Sequence, residues 1–542
     1  MKKKLRVLLC LLALVCLLCV SVNAEQAPIL PEQTGTIQTS DPEAPQSGLR
    51  TSALRADDTL AEVKKTLKQG LLALQDSIDV SQFEISTDEI GEVKNVYGQL
   101  IQENPELFFV GFDSDYREIN GLITEIVPYY ELDRQLYTTG LPEAQRSEIK
   151  QRQAALEQVV GEIVAQVDAS WTELQKALFL HDYLATHAQY DTTYTGYDAY
   201  TILVKGTGVC EAYTRAYRLL LNRVGIASGI VRSQNLDHVW NLVRIAGSWY
   251  HIDVTWDDPL QDRIGQVSHK HFCTSDAKRV ELVKDEKKDQ ANWTFELDWE
   301  YSLTVTTSAS FDSSYWASVD SAFVQLDGTW YYLSYSYNEN SGIQSELMQT
   351  QDPAQAGTRN KLLNAVWYNW TDSRSYWIGV YSGLSSYNGG LVYNTTNTVY
   401  RYDPKAKTEQ PVYKLTAEEK RAGYLYGTAV DGNSLRYMVL QTPNIKVPAK
   451  VYTQKLDLYE TVREGGYAYY LQAGKLHLKP SGPQTGIVIA AWYDADGRML
   501  GTKRLNGQEL TVSVSGAETV KIFTAAETTY QPLCKATELS AE

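Results

Sequence analysis

Gly206-Thr-Gly-Val-Cys-Glu-Ala-Tyr213 opens an amphipathic helical stretch with a cysteine at its first turn. A thiol there sits among unpaired backbone N–H groups at the positive end of a helix dipole, an environment expected to favour thiolate over thiol. Gly225 is expected to stop this helix. Downstream, Asp237-His-Val-Trp-Asn241 and Trp249-Tyr-His-Ile-Asp-Val-Thr-Trp256 supply a histidine and a carboxylate in two consecutive strand-like runs. Val239 to Ile245 and Ser248 to Thr255 are rich in β-branched and aromatic residues, and Ala246-Gly247 reads as a tight hairpin turn. With a two-residue turn, Ile245 faces Ser248 and paired residue numbers sum to 493. His238 is then the diagonal neighbour of Asp253 on one face, roughly 7–8 Å apart along the backbone, which an imidazole and a carboxylate can bridge. Asp253 would fix the ring tautomer, leaving the second nitrogen to take the proton from Cys210.

Further motifs join these. His181-Asp-Tyr-Leu lies in a helix before the cysteine, Tyr200 in the approach to it, Gly-Val-Cys-Glu-Ala-Tyr at Gly208 to Tyr213, His238-Val-Trp-Asn on the first strand, and Asp253-Val-Thr-Trp-Asp-Asp-Pro ends at Pro259. Together they resemble the transglutaminase-like superfamily, a branch of the papain-like cysteine enzymes. The resemblance implies Cys210 as nucleophile, His238 as general base and acid, and Asp253 as its orienter. Tyr200 is a candidate oxyanion donor beside the Cys210 N–H, with packing under the approach loop as the competing reading. Trp240 and Trp256 read as walls of the cleft or core, and His181, on the apolar side of its helix, as a satisfied core histidine. A zinc site is the rival chemistry: His269, His271 and Cys273 alternate and would share one face of a strand. No fourth ligand is placed, so no metal and no cofactor are expected. Calcium loops of the EF-hand kind, phosphate-cradling glycine loops and serine elbows are absent from the sequence.

Met1-Lys-Lys-Lys, the apolar run Val7 to Val22 and the small-residue site near Ala24 form the three parts of a secretory signal peptide (1–24). Cleavage there removes four basic residues, taking the formal charge from −16 to −20, and three of the six cysteines. Cys210, Cys273 and Cys534 remain, too sparse and odd a set for a disulfide framework. The expected location is therefore secreted, with cell-surface association as an extension. Strong acidity argues against nucleic acid as a partner.

Composition divides the rest. Residues 25–57 read as a solvated, disordered linker, and 58–168 as an α+β region with helices over Leu60 to Ile78 and Glu89 to Ile101, strands over Leu107 to Phe112 and Leu122 to Tyr130, and a long charged helix from Leu141 to Val167. The catalytic domain is expected at 169–291. Aromatic strands such as Phe323 to Leu333, Tyr376 to Tyr381, Thr398 to Asp403 and Leu435 to Leu440 fill 292–457 and resemble propeller blades. Residues 458–542 alternate as a small β-sandwich does, resembling accessory modules of exported bacterial proteins. The fold class is thus multi-domain α+β, with a transglutaminase-like core, an N-terminal α+β region and C-terminal all-β modules. Their many aromatics admit a glycan- or wall-binding reading, although strand packing accounts for them as well. Three functions fit: a thiol hydrolase acting on extracellular protein or peptidoglycan peptide, a protein-glutamine cross-linking or deamidating transferase, and an inactive binding or scaffold protein. The hydrolase ranks first.

Overall fold

A computed structural model of the chain describes residues 36–37, 57–258, 263–287, 299–301, 305–338, 342–363, 383–441, 450–456, 460–462, 464–472, 474–481, 486–508 and 510–540. The expected signal peptide (1–24), nearly all of the expected linker, and the strand expected at Tyr376 to Tyr381 lie outside them. The chain divides into two compact units, 1–149 and 150–542. Among the described residues no helix is long and apolar enough to cross a membrane.

In the first unit, helices α1 (Asp57–Leu72) and α2 (Ile90–Glu103) pack with the strands β1 (Val110–Ile119) and β2 (Leu122–Leu132). Val63, Leu67 and Leu71 recur every four residues on one face of α1 and are fully buried. The expected helix to Ile78 stops early because the chain folds back on itself. Leu74 adopts a left-handed conformation (φ 56°), and the Leu74 and Gln75 N–H groups close onto Leu71 and Gly70 carbonyls, a capping pattern that ordinarily uses glycine at the left-handed position. Ile78 then pairs with β2 and packs so close to Gly70 that a Cβ there would lie 2.6 Å from it. Asn120-Gly121, both at positive φ, turns β1 into β2. The long helix α3 (Glu143–Val164) follows, and the division between the units falls within it rather than at 168.

The second unit is built on a five-stranded antiparallel sheet. The relevant elements are α4 (Glu173–His187), β3 (Gln189–Tyr190), α5 (Ala199–Lys205), β4 (Thr207–Gly208), α6 (Cys210–Arg223), β5 (Ser228–Ser233), β6 (His238–Ile245), β7 (Ser248–Ile252), α7 (Val254–Asp257), β8 (Phe272–Thr274), α8 (Asp276–Lys287) and β9 (Trp299–Tyr301). The sheet order is β8-β7-β6-β5-β9. The β6–β7 hairpin pairs Ile245 with Ser248 through Asn241 with Ile252, the register read from sequence. Ala246 (φ 49°) and Gly247 (φ 84°) both occupy the left-handed region that such a turn demands. The strand expected to reach Thr255 ends at Ile252, because the Asp253 carboxylate caps α7 by accepting from the Trp256 N–H. Helix α6 lies against β6, with Thr214 donating to the Val239 carbonyl and Asn241 to that of Thr214.

The expected catalytic boundary at 291 moves outward. Strand β9 pairs with β5, Ser275 is held by the Asp312 carboxylate, the Asp276 N–H donates to the Thr307 hydroxyl, and the buried Trp316 ring meets Phe272 edge to face. These residues belong to the core by hydrogen bonding and packing, whatever their composition.

Beyond them come three antiparallel sheets: Val324–Leu326 to Asn360–Leu363, Leu384–Tyr387 to Thr408–Lys414, and Tyr424–Asp431 to Lys450–Lys455. Among the described residues they close no ring, so they are blade-like sheets without a propeller. The last two four-stranded sheets bury Tyr467, Leu476 and Leu478 of one against Val488, Val520 and Ile522 of the other, a β-sandwich.

Candidate active site

The cysteine is presented by a braced loop. β3 and β4 run parallel, placing Tyr190 beside Gly208. Asp191 accepts from the N–H groups of Thr193, Thr195 and Gly196 at 2.8, 2.8 and 2.9 Å. Its own N–H donates to the Gly208 carbonyl, and Val209 N–H to that of Gly196. These bonds hold the Asp191 carboxyl well below the usual carboxylate range despite its desolvation. Gly208 is obligatory: a Cβ would lie 2.5 Å from that of Ala212.

Cys210 is the first residue of α6 and is partly buried. Burial pushes its thiol up to about 11, with the backbone N–H groups of Val239 and Glu211 acting in the opposite sense. Desolvation is the largest influence on the thiol and acts against the thiolate expected at the helix start. The Thr214 hydroxyl, donating to the carbonyls of both Cys210 and Val239, ties the start of α6 to the residue after His238.

His238 Nε2 lies 2.8 Å from Asp253 Oδ2, and both residues are buried. Nδ1 has no hydrogen-bond partner among the described residues. Asp253 comes to this position at the end of the β7 ladder, where it leaves the sheet. Its Oδ2 also accepts from Arg279 Nη2, and Arg279 is fully buried on α8. Burial alone would raise the Asp253 carboxyl, but the charges of His238 and Arg279 outweigh it and hold the group well below its ordinary range. The Trp240 and Trp256 rings stack on His238 at 5.6 and 5.1 Å and flank the Arg279 guanidinium at 4.6 and 4.3 Å. The two tryptophans are walls, as read, and their second role against Arg279 carries no sequence signal. Arg279 itself sits in Ser275-Asp-Ala-Lys-Arg279, which looks like the solvated start of a charged helix.

The other singled-out residues have surroundings of their own. Tyr200 lies on α5 with Arg152 and Lys205 over its ring at 5.4 and 5.3 Å. His269, His271 and Cys273 do not share a strand face: only Phe272–Thr274 is strand, His271 Nδ1 accepts from Arg279 at 2.6 Å, and Cys273 turns through a positive φ of 60° with its thiol buried. His269 instead joins His181 and Asp182. Asp182 Oδ1 lies 2.8 Å from both His181 Nδ1 and His269 Nε2, His181 Nε2 is 3.2 Å from Asp257 Oδ2, and His269 Nδ1 donates to the Val319 carbonyl at 2.8 Å. Asp182 Oδ2 accepts from the Phe323 N–H. His181, Asp182 and His269 have donor atoms close enough to hold a metal ion, but each of those atoms is engaged in this hydrogen-bond set. His181 is a satisfied core histidine: desolvation alone would lower its basicity, yet the bonds to Asp182 and Asp257 raise it to about 9.

Comparison with known proteins agrees with the geometry of the core. Residues 158–254 match the family model described as the transglutaminase-like superfamily. A search of curated proteins found no match. Among solved structures, similarity is found to a "TGase" at 18% identity, covering 33% of this chain and 52% of that one with a TM-score of 0.19. A provisionally named cysteine protease from Cytophaga hutchinsonii follows at 16% identity, covering 26% and 53%, TM-score 0.17. PorZ, a surface component of the type-IX secretion system of Porphyromonas gingivalis, is similar at 11% identity over 41% and 39%, TM-score 0.14. The chain spans about half the length of the first two. The helix that carries Cys210 and the hairpin that carries His238 fall inside the matched segment, and this part of the chain is a transglutaminase-like domain of an α+β, multi-domain protein.

Proposed function

We propose that this chain is an exported cysteine hydrolase that cleaves peptide or amide bonds of extracellular protein or peptidoglycan peptide through Cys210, His238 and Asp253. The observation that carries the reading is the buried His238 Nε2–Asp253 Oδ2 pair at 2.8 Å, whose Nδ1 has no partner among the described residues, on a strand tied to the start of the Cys210 helix through the Thr214 hydroxyl. In this scheme Nδ1 accepts the thiol proton as sulfur bonds to the carbonyl carbon. The proton then passes to the departing amine as the C–N bond breaks, leaving a thioester. Water, activated by the same nitrogen, releases the acid and restores the thiol. The Cys210 N–H and the Tyr200 hydroxyl are the proposed donors to the oxyanion. The blade-like sheets and the sandwich are proposed to set where the enzyme acts, including contact with wall glycan.

A primary amine in place of water would make the same thioester a cross-linking intermediate. Mass spectrometry of glutamine-containing and cell-wall peptides, incubated with and without a primary amine, separates cleavage, deamidation and amine incorporation. Cleavage lost in Cys210→Ala is the expected result. Amine incorporation without cleavage would replace hydrolase by transferase. No conversion of any peptide and no acyl adduct on Cys210 would leave the scaffold reading.

A further inference from the structure

Arg279 stands outside the roles assigned above, and its surroundings are unusual for a cation. Its side chain is fully buried, a placement costly for a charge unless partners are supplied. The partners are Asp253 Oδ2, which it shares with His238, and His271 Nδ1 at 2.6 Å. A guanidinium only donates, so His271 must present an unprotonated Nδ1 and carry its proton on Nε2. Above and below lie Trp240 and Trp256, the same two rings that stack on His238. Trp240 is fixed in turn, its indole N–H donating to His251 Nδ1 at 2.8 Å, with His251 Nε2 2.8 Å from Asp276 at the start of α8.

We propose that Arg279 is a positioning residue of the active site, which fixes the Asp253 carboxylate and, by sharing its charge, sets how strongly the His238–Asp253 pair draws the Cys210 proton. This rests on the catalytic reading above. An unaccompanied aspartate beside a histidine favours the imidazolium and draws the thiol proton across into a resting ion pair. A second cation on the same oxygen makes Asp253 and Arg279 together neutral, and that pull is weakened. The remaining charged and titratable groups near the thiol are few. Glu211 is bonded to Arg215 and Arg232, while the Tyr190 phenol, pushed up to about 12 by burial and then by Cys210 and its neighbours, stays neutral. Asp237 precedes His238 in sequence, and His271 faces Arg279 as an acceptor.

The test is the pH dependence of Cys210 alkylation by iodoacetamide in the full chain, resolved by peptide mass spectrometry, which needs no substrate. Arg279→Met and Arg279→Gln should each move the midpoint at least about one unit toward acid. Arg279→Lys, which keeps the charge, should stay near wild type. The shift should vanish when His238→Ala is added to Arg279→Gln. Circular dichroism identifies any variant that fails to fold, and the neutral, hydrogen-bonding Gln variant serves where Met does not fold. A midpoint unmoved in the neutral variants, a shift equally large in Arg279→Lys, or one that persists without His238 would each overturn the inference. Failure of the catalytic reading is read separately, as absence of peptide conversion by wild type.

Discussion

Of the histidine–aspartate contacts at 2.8 Å in this domain, His238–Asp253 and His181–Asp182 make the instructive contrast. Distance therefore does not distinguish a working pair from a structural one. The difference is in what remains unused. Both nitrogens of His181 face carboxylates, and Asp182 is saturated by His181, His269 and the Phe323 N–H. His238 has an Nδ1 without a partner among the described residues, and the next residue along the chain is tied through the Thr214 hydroxyl to the residue that carries the partly exposed thiol. Spare hydrogen-bonding capacity beside a nucleophile makes a site; full satisfaction makes a staple. The staple binds α4 to α7 and to the segment from Val319 to Phe323, which ties the first blade-like sheet to the core.

The sharpest way to break this comparison is to remove one histidine from each pair. His238→Ala and Cys210→Ala should each lower turnover by on the order of 10³–10⁶-fold with the melting temperature little changed, and the double variant should be no slower than either single. His181→Leu should do the reverse, costing about 3–5 kcal/mol of stability because Asp182 and Asp257 lose their shared counter-charge. Urea unfolding followed by fluorescence, together with turnover at a temperature where both variants are folded, reads the two effects. If His181→Leu were stable and inactive, the staple would be part of the machinery and the comparison would collapse.

A smaller effect follows from pH. His181 is raised to about 9 in the fold from an ordinary 6.5, so its contribution to stability is complete below about 6.5 and is lost as pH rises through 9. The urea midpoint of wild type should fall between pH 7 and 10, and His181→Leu should show a flatter dependence over that range. Equal slopes would mean that the staple holds no titrating charge.

The sequence was most legible where chemistry and register coincide. The β6–β7 pairing and the approach of His238 to Asp253 follow from a two-residue turn and strand parity, and the sandwich follows from alternation in Ile487 to Tyr493 and Thr519 to Ala525. What stayed hidden depends on contacts distant in sequence. Arg279 is indistinguishable from a solvated arginine until Trp240 and Trp256 close over it, and His269 shows its partner only when α4 is packed beside it. The stop of α1 was missed because a leucine, Leu74, takes the left-handed position normally marked by glycine. The surroundings of the thiol were half visible: the helix terminus shows in sequence, whereas the desolvation of Cys210 does not.

The smallest expected effect is at Tyr200. Arg152 and Lys205 both lie over its ring, a position where a tyrosine can act by packing on cations at the approach to the cysteine. Removing only the hydroxyl leaves that packing in place, so Tyr200→Phe should lower kcat less than about tenfold if the phenol is one of two oxyanion donors that the Cys210 N–H can partly replace. Loss of a sole side-chain donor costs roughly 10²–10³ in kcat, and a value in that range would make Tyr200 as essential to the transition state as His238. Tyr200→Ala, compared with Tyr200→Phe, separates the ring from the hydroxyl. A drop in kcat/KM confined to the Ala variant assigns Tyr200 to the wall of the approach loop and leaves the backbone N–H groups at the start of α6 as the oxyanion donors.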